Sequence, residues 1–213
     1  MEHSASPFRN PAFLLLAFLL LAGCSTMSRK ECLNVDWRTL GYEDGTNGYD
    51  ADRIGQHRKA CADYGVRPDL EAYRAGREEG LKEFCRPARG YRLGVNGGSY
   101  GGVCPAPLEG KFLAAFRAGH ELYVLRARVA SADLAIHSHE RQIESLEHGV
   151  AGNAIAVTDK DSNAQERADA VIDAANMAER IGRLRTELRQ LEEDRAHYQA
   201  DLDDYLASHP PID

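Results

Sequence analysis

Three groups of residues have the types and spacing for chemistry. The string Gly97-Gly98-Ser99-Tyr100-Gly101 matches the Gly-x-Ser-x-Gly turn that presents a nucleophilic serine. That turn needs a buried strand before it and a helix after it. Here Asn96 precedes it, and Gly102, Cys104, Pro105 and Pro107 follow, so the string reads as a glycine-rich turn. Asp159-x-Asp161-x-Asn163 opens like a calcium loop, but Ala164 and Ala170 stand where such a loop needs Gly and a bidentate Glu. Helix capping accounts for those residues instead. His137 and His139 are two apart, so they point to different faces of a helix and cannot share a metal ion. No Gly-rich phosphate loop is present. The expectation is a chain that is not an enzyme, with no catalytic residue, no metal and no cofactor.

Leu21-Ala22-Gly23-Cys24 closes an apolar run from Ala12 to Ala22, which follows a polar start carrying Arg9. Together these are the parts of an export signal. Eleven apolar residues rise only about 16 Å as a helix, too short for a bilayer core of about 30 Å. Small residues directly before cysteine resemble the lipobox of bacterial lipoproteins, which implies cleavage of residues 1–23 and acylation of Cys24. Several acyl chains hold a protein stably on a membrane. By resemblance to enterobacterial sorting, Ser25 in place of Asp implies the outer membrane, with the protein facing the periplasm.

Four cysteines remain: Cys32, Cys61, Cys85 and Cys104. An even number in an exported chain reads as two disulfides, and the spacing lacks any Cys-x-x-Cys zinc pattern. Three connectivities are open. Cys32–Cys61 with Cys85–Cys104 is favoured, because folding the first two helices back on each other would bring Cys32 to Cys61. Cys85–Cys104 would then close a Gly/Tyr loop over residues 86–103.

The mature chain divides by composition. Residues 24–110 hold these cysteines, fourteen of nineteen Gly and six of nine Tyr, with 13 basic against 13 acidic residues. Residues 111–213 hold 12 basic against 19 acidic residues, so the whole net charge of −7 lies there. An acidic half without a basic face argues against a nucleic-acid partner. In the first region Gly41 and Gly45, and again Gly76 and Gly80, are four apart and share a helix face. Each mid-helix Gly costs roughly 1 kcal/mol against Ala, so such stripes imply close helix–helix contact. An aromatic-Arg-x-Gly form recurs at Tyr73–Gly76, Tyr91–Gly94 and Phe116–Gly119, without a fixed period.

The order Trp37, Gly41-Tyr42, Asp44-Gly45, Gly48, Cys61, Tyr73, Gly76, Gly80-Leu81, Cys85, Pro87, Gly94, Gly97, Tyr100, Cys104-Pro105, Phe116 and Gly119 resembles the bacterial lipoprotein family called domain of unknown function 2799. The resemblance covers roughly residues 32–125. It implies a Gram-negative envelope lipoprotein and brings no activity, ligand or catalytic residue.

In the second region apolar residues recur in heptads. Leu122, Val129, Ile136, Ile143 and Val150 form one row, with Leu125, Ala132 and Leu146 beside it and His139 as an interruption. The pattern returns from Ala170 to Tyr205, interrupted at Arg195. Such rows indicate a coiled coil. With a loop near 149–163, the rows match as an antiparallel hairpin in which Leu122 lies level with Leu191 and Val129 with Leu184. A parallel dimer is the alternative.

The fold class expected is therefore all-α: a small disulfide-stapled Gly/Tyr-rich helical domain followed by a long antiparallel coiled-coil hairpin. Membrane attachment through Cys24 is expected, with an envelope protein as partner of the hairpin. The alternative is a module that binds peptidoglycan or another glycan through loop 86–103, using exposed Tyr91, Arg92 and Tyr100.

Overall fold

The structure, a computed structural model, describes residues 27–209. Among these residues there are seven helices and no strand: α1 (Arg29–Leu33), α2 (Trp37–Thr46), α3 (Arg53–Ala62), α4 (Leu70–Phe84), α5 (Pro87–Val95), α6 (Ala106–Thr158) and α7 (Ala164–Ser208). The all-α expectation holds. The chain forms two compact units that divide between Phe84 and Cys85. The expected boundary at residue 110 falls inside α6. The helix opens at Ala106, just after Pro105, so the change of composition at 110 marks no break in the backbone.

In the first unit, Asp36 caps α2 by accepting from Thr39 N–H at 2.9 Å, and Asp69 accepts from the Glu71 and Ala72 N–H groups at the start of α4. The glycine stripes bring α2 and α4 into backbone contact, running in the same direction. A Cβ on Gly41 would lie 2.1 Å from Tyr73 O, on Gly45 2.4 Å from Arg77 O, on Gly76 1.9 Å from Arg38 O and on Gly80 2.2 Å from Tyr42 O. Only hydrogen fits at these four positions. Helix α2 ends at Gly48, whose φ of 70° needs no Cβ, while Gly48 and Tyr49 donate back to the Gly45 and Asp44 carbonyls. The partner of α2 is thus α4, not the next helix, α3, as expected. Cys32 on α1 instead reaches Cys61 on α3, and the two form a disulfide.

The second unit begins with the same device. Helix α5 lies along the start of α6, again in the same direction. A Cβ on Gly90 would lie 2.6 Å from Phe112 O, on Gly94 2.2 Å from Phe116 O and on Gly119 2.2 Å from Tyr91 O. Gly97 ends α5 at φ 68°, with Gly97 and Gly98 donating to the Gly94 and Leu93 carbonyls. Gly48 abuts the Phe84 ring, and Gly97 abuts the Tyr123 ring. Two clasps therefore share one design, except that Ala115 stands in the second where Gly76 makes its contact in the first. Gly41-Tyr42-x2-Gly45-x-Asn47-Gly48 recurs as Gly90-Tyr91-x2-Gly94-x-Asn96-Gly97. Tyr73, Gly76, Gly80 and Phe84 recur as Phe112, Ala115, Gly119 and Tyr123. Each clasp has a disulfide from just before its first helix to the connection between its helices, the second being Cys85–Cys104.

Residues 86–103, expected as a loop, therefore contain a helix. Pro87 sits in the first turn of α5, where its fixed φ suits a helix start, and Gly90 and Gly94 form a packing face rather than a turn.

Helices α6 and α7, of 53 and 45 residues, pack along each other as a long hairpin; at 1.5 Å per residue they measure roughly 80 and 68 Å. The expected loop at 149–163 shrinks to residues 159–163. Gly149 stays helical because it makes room for Met177, whose Sδ would lie 2.7 Å from a Cβ there. The later turn moves the register by about two heptads. Leu122 and Val129 pack with Leu202 and Tyr205, not with Leu191 and Leu184. Further along, Ile143 packs with Ile181 and Leu184. Both polar interruptions are paired across the seam: Arg195 Nε donates to Asp133 at 3.0 Å, and His139 Nε2 meets Glu187 at 3.0 Å. Asn163 with Glu166 makes the capping box that starts α7.

Candidate functional site

The first clasp contains a buried polar cluster. Asp44 lies between Gly41 and Gly45 on the contact face of α2, so helical geometry turns it inward. Its Oδ2 accepts from His57 Nε2 at 2.8 Å and from the Tyr73 hydroxyl at 2.6 Å. The three residues are 5, 3 and 1 % exposed. Burial would raise the Asp44 carboxyl, but the bonds from His57 and Tyr73 and the nearby positive charge of Arg53 outweigh it and hold the group below the usual carboxylate range. Burial, reinforced by the bond to that carboxylate, pushes the Tyr73 phenol up. Asp44 is therefore a carboxylate that can only accept, so His57 Nε2 is the donor in their bond.

Two buried atoms in this cluster have no partner: His57 Nδ1 and Arg53 Nε. The two residues are four apart on α3 and share a face. Arg53 Nη1 donates to Gln56 at 2.8 Å, and the guanidinium carbon lies 4.4 Å from the Tyr49 ring centre. His57, Arg53, Asp44 and Tyr49 line one side of a cavity of about 950 Å3, with Met27 and Leu40 among its apolar lining.

The second clasp supplies an internal comparison. Leu93 stands at the position of Asp44, and Phe112 at that of Tyr73. Helix α3 has no counterpart, because residues 98–105 pass directly from one helix to the next. The same backbone arrangement is thus built once with apolar residues and once with a polar cluster, and an inserted helix carries His57 and Arg53 to that cluster.

The residues singled out in the sequence lie elsewhere. Cys24 is outside the described residues. Cys32, Cys61, Cys85 and Cys104 form the two disulfides. Tyr91 is half-buried against the cluster of Leu122, Val129, Leu202 and Tyr205. Tyr100 packs 4.8 Å from the Phe112 ring, and its hydroxyl donates to Glu109 at 3.0 Å and accepts from Cys104 N–H at 2.9 Å. Arg92 is exposed in the last turn of α5. Tyr91 and Tyr100 are thus half-buried rather than fully exposed, Tyr91 beside the hairpin seam and Tyr100 against Phe112. Ser99 follows the end of α5 in a stretch without regular secondary structure, with no strand before it. Among the described residues no three His, Cys, Asp or Glu side chains are placed to hold a metal ion, and no helix is long and apolar enough to cross a membrane.

Sequence reasoning missed His57, Arg53 and the role of Asp44. Asp44 was readable, since it lies within the glycine stripe of α2. His57 was not, because its distance from Asp44 depends on how α3 folds over the clasp.

Residues 36–121 match the family model described as protein of unknown function (DUF2799). That stretch runs from the cap of α2 to just past Gly119, and so spans both clasps. The resemblance seen in the sequence holds over it. No curated protein and no solved structure matches the chain.

Proposed function

We propose that this chain is a lipid-anchored bacterial envelope protein that acts by binding a protein partner through its hairpin and catalyses no reaction. The observation that carries the reading is the hairpin itself. Two helices that bury only one seam leave their outer faces uncovered. Leu134 is 71 % exposed, Ile155 70 %, Ile172 58 % and Val171 54 %. Leu134 and Ile155 each lie two residues from seam positions, and so on the back of α6. The acidic excess of residues 111–213 calls for a helical partner with basic flanks around its apolar contacts.

The anchor reading rests on Leu21-Ala22-Gly23-Cys24 and places the partner in the periplasm, facing the outer membrane. The four-cysteine framework accords with that oxidising compartment. Glycan recognition through residues 86–103 is the weaker reading, since Tyr91 and Tyr100 are committed to packing. Cross-linking in whole cells followed by mass spectrometry tests the proposal. Links from α6 or α7 to a second protein are expected, and self-links alone would count against it. An unmodified Cys24 in the mass of the N-terminal peptide would refute the anchor.

A further inference from the structure

We propose that the cavity beside His57 and Arg53 is a binding site for a neutral secondary amide, as carried by an N-acylated sugar or a short peptide. The proposal is independent of the hairpin reading.

The first support is the internal comparison. Leu93 and Phe112 show that the clasp closes without Asp44 and Tyr73. Polar groups buried where an apolar pair serves the fold are a cost, because each must find partners in a medium of low dielectric. The inserted α3 adds two more polar groups to the same place. The second support is what those groups leave unsatisfied. His57 Nε2–H is held by the Asp44 carboxylate, so a ring carrying that one proton offers a lone pair at Nδ1; Arg53 Nε offers a proton. One acceptor and one donor, four residues apart on one face of α3, complement a group that donates and accepts together.

A secondary amide does this through its N–H and C=O. Its alkyl end would lie toward the apolar wall of Met27, Val35 and Leu40. A charged ligand fits less well. The wall carries Lys30 and Arg53 as well as Glu31, Asp36, Glu43 and Asp44, so either sign meets a like charge. The volume of about 950 Å3 lies in the range of small-molecule sites and far exceeds a single water. Both orphan atoms are shielded from solvent, so entry requires a wall side chain to move. Met27 is unbranched and adaptable, and its Sδ lies 3.8 Å from Cys61 Sγ, one turn from His57.

The test is a titration of the full chain, labelled with nitrogen-15 and held in detergent, followed through the imidazole nitrogens of His57. The probes are an N-acetylated disaccharide, an N-acetylated dipeptide amide, and the same disaccharide with hydroxyls in place of its acetamido groups. At least one amide probe should shift Nδ1 saturably at millimolar or lower concentration, and the hydroxyl analogue should bind about tenfold more weakly or not at all. Which amide probe saturates identifies the source. Arg53→Met, which leaves the Asp44–His57–Tyr73 bonds in place, should weaken that binding about tenfold or more. An Nδ1 signal unmoved by both amide probes up to about 10 mM means water alone fills the site and overturns the proposal. Equal binding of the hydroxyl analogue overturns it too.

Discussion

Replacing Gly76 with Ala probes the clasp where it is tightest. The new Cβ would sit 1.9 Å from Arg38 O and 2.8 Å from its carbonyl carbon. Both are backbone atoms and cannot rotate away. Restoring ordinary contact separates α2 from α4 by roughly 1.5 Å, because carbon and oxygen settle near 3.4 Å. The same separation would loosen the contacts at Gly41, Gly45 and Gly80. Overpacking of this kind costs about 1–3 kcal/mol where side chains can adjust, and about 4 kcal/mol is reasonable where only backbone can. Ala gains about 1 kcal/mol over Gly in a helix, which leaves a net loss of about 3 kcal/mol. At roughly 4–8 °C per kcal/mol for a unit of this size, the unit holding α2 and α4 should melt about 12–24 °C lower. Gly152→Ala is the control: Gly152 is exposed in α6 with nothing within 4 Å of its built Cβ, so the variant should melt no lower than the parent and up to about 3 °C higher. Calorimetry of both variants decides. A Gly76→Ala melting point within about 2 °C of the parent would refute the close-contact reasoning.

Removing both cysteines of the Cys32–Cys61 bridge, which spans 29 residues, should cost about 3.6 kcal/mol, and the Cys85–Cys104 bridge over 19 residues about 3.2 kcal/mol; denaturant unfolding of each double serine variant measures this. The Asp44 carboxyl is held below its unfolded value, so its contribution is complete above about pH 5 and is lost as the pH falls through the carboxylate range. The Tyr73 phenol is pushed up, so its contribution is complete below about pH 10 and is lost at higher pH. Melting between pH 3 and 7 should therefore vary more steeply in the parent than in Asp44→Leu. Tyr205 donates to Ala118 O at 2.6 Å, and Tyr205→Phe should destabilise the second unit by about 1 kcal/mol in denaturant titration.

Glycines decided where the sequence was legible and where it was not. Gly41, Gly45, Gly76 and Gly80, four apart, announced close helix contact, though not which helices met. Gly90 and Gly94 carry the same signal, but the glycines at 97, 98, 101 and 102 made the stretch look like a loop. Gly149 and Gly152 likewise resembled a hairpin turn, yet α6 continues through them because Met177 packs against Gly149. That single misplacement carried the seam register with it, while the heptad phase survived because the shift was close to whole heptads. The duplication was hidden by α3. Its ten residues set the first halves of the clasps farther apart in sequence than the second halves, so no single period aligns both. Tyr91 belongs to a first helix and Tyr73 to a second, which is why aromatic-Arg-x-Gly gave no period. The Asp44–His57–Tyr73 cluster was beyond reach, since only the folded path of α3 brings His57 to Asp44.

If the two clasps are one structure, the polar cluster of the first is not what holds it together. The direct measurement is the melting point of the triple variant Asp44→Leu, His57→Leu, Tyr73→Phe, which gives the first clasp the apolar character of Leu93 and Phe112. Exchanging a whole buried polar group for apolar residues of similar volume is commonly neutral or stabilising. A melting point equal to or above that of the parent at pH 7 is expected, with the helical spectrum unchanged. A fall of about 8 °C or more would show that the cluster is structural, and would contradict the claim.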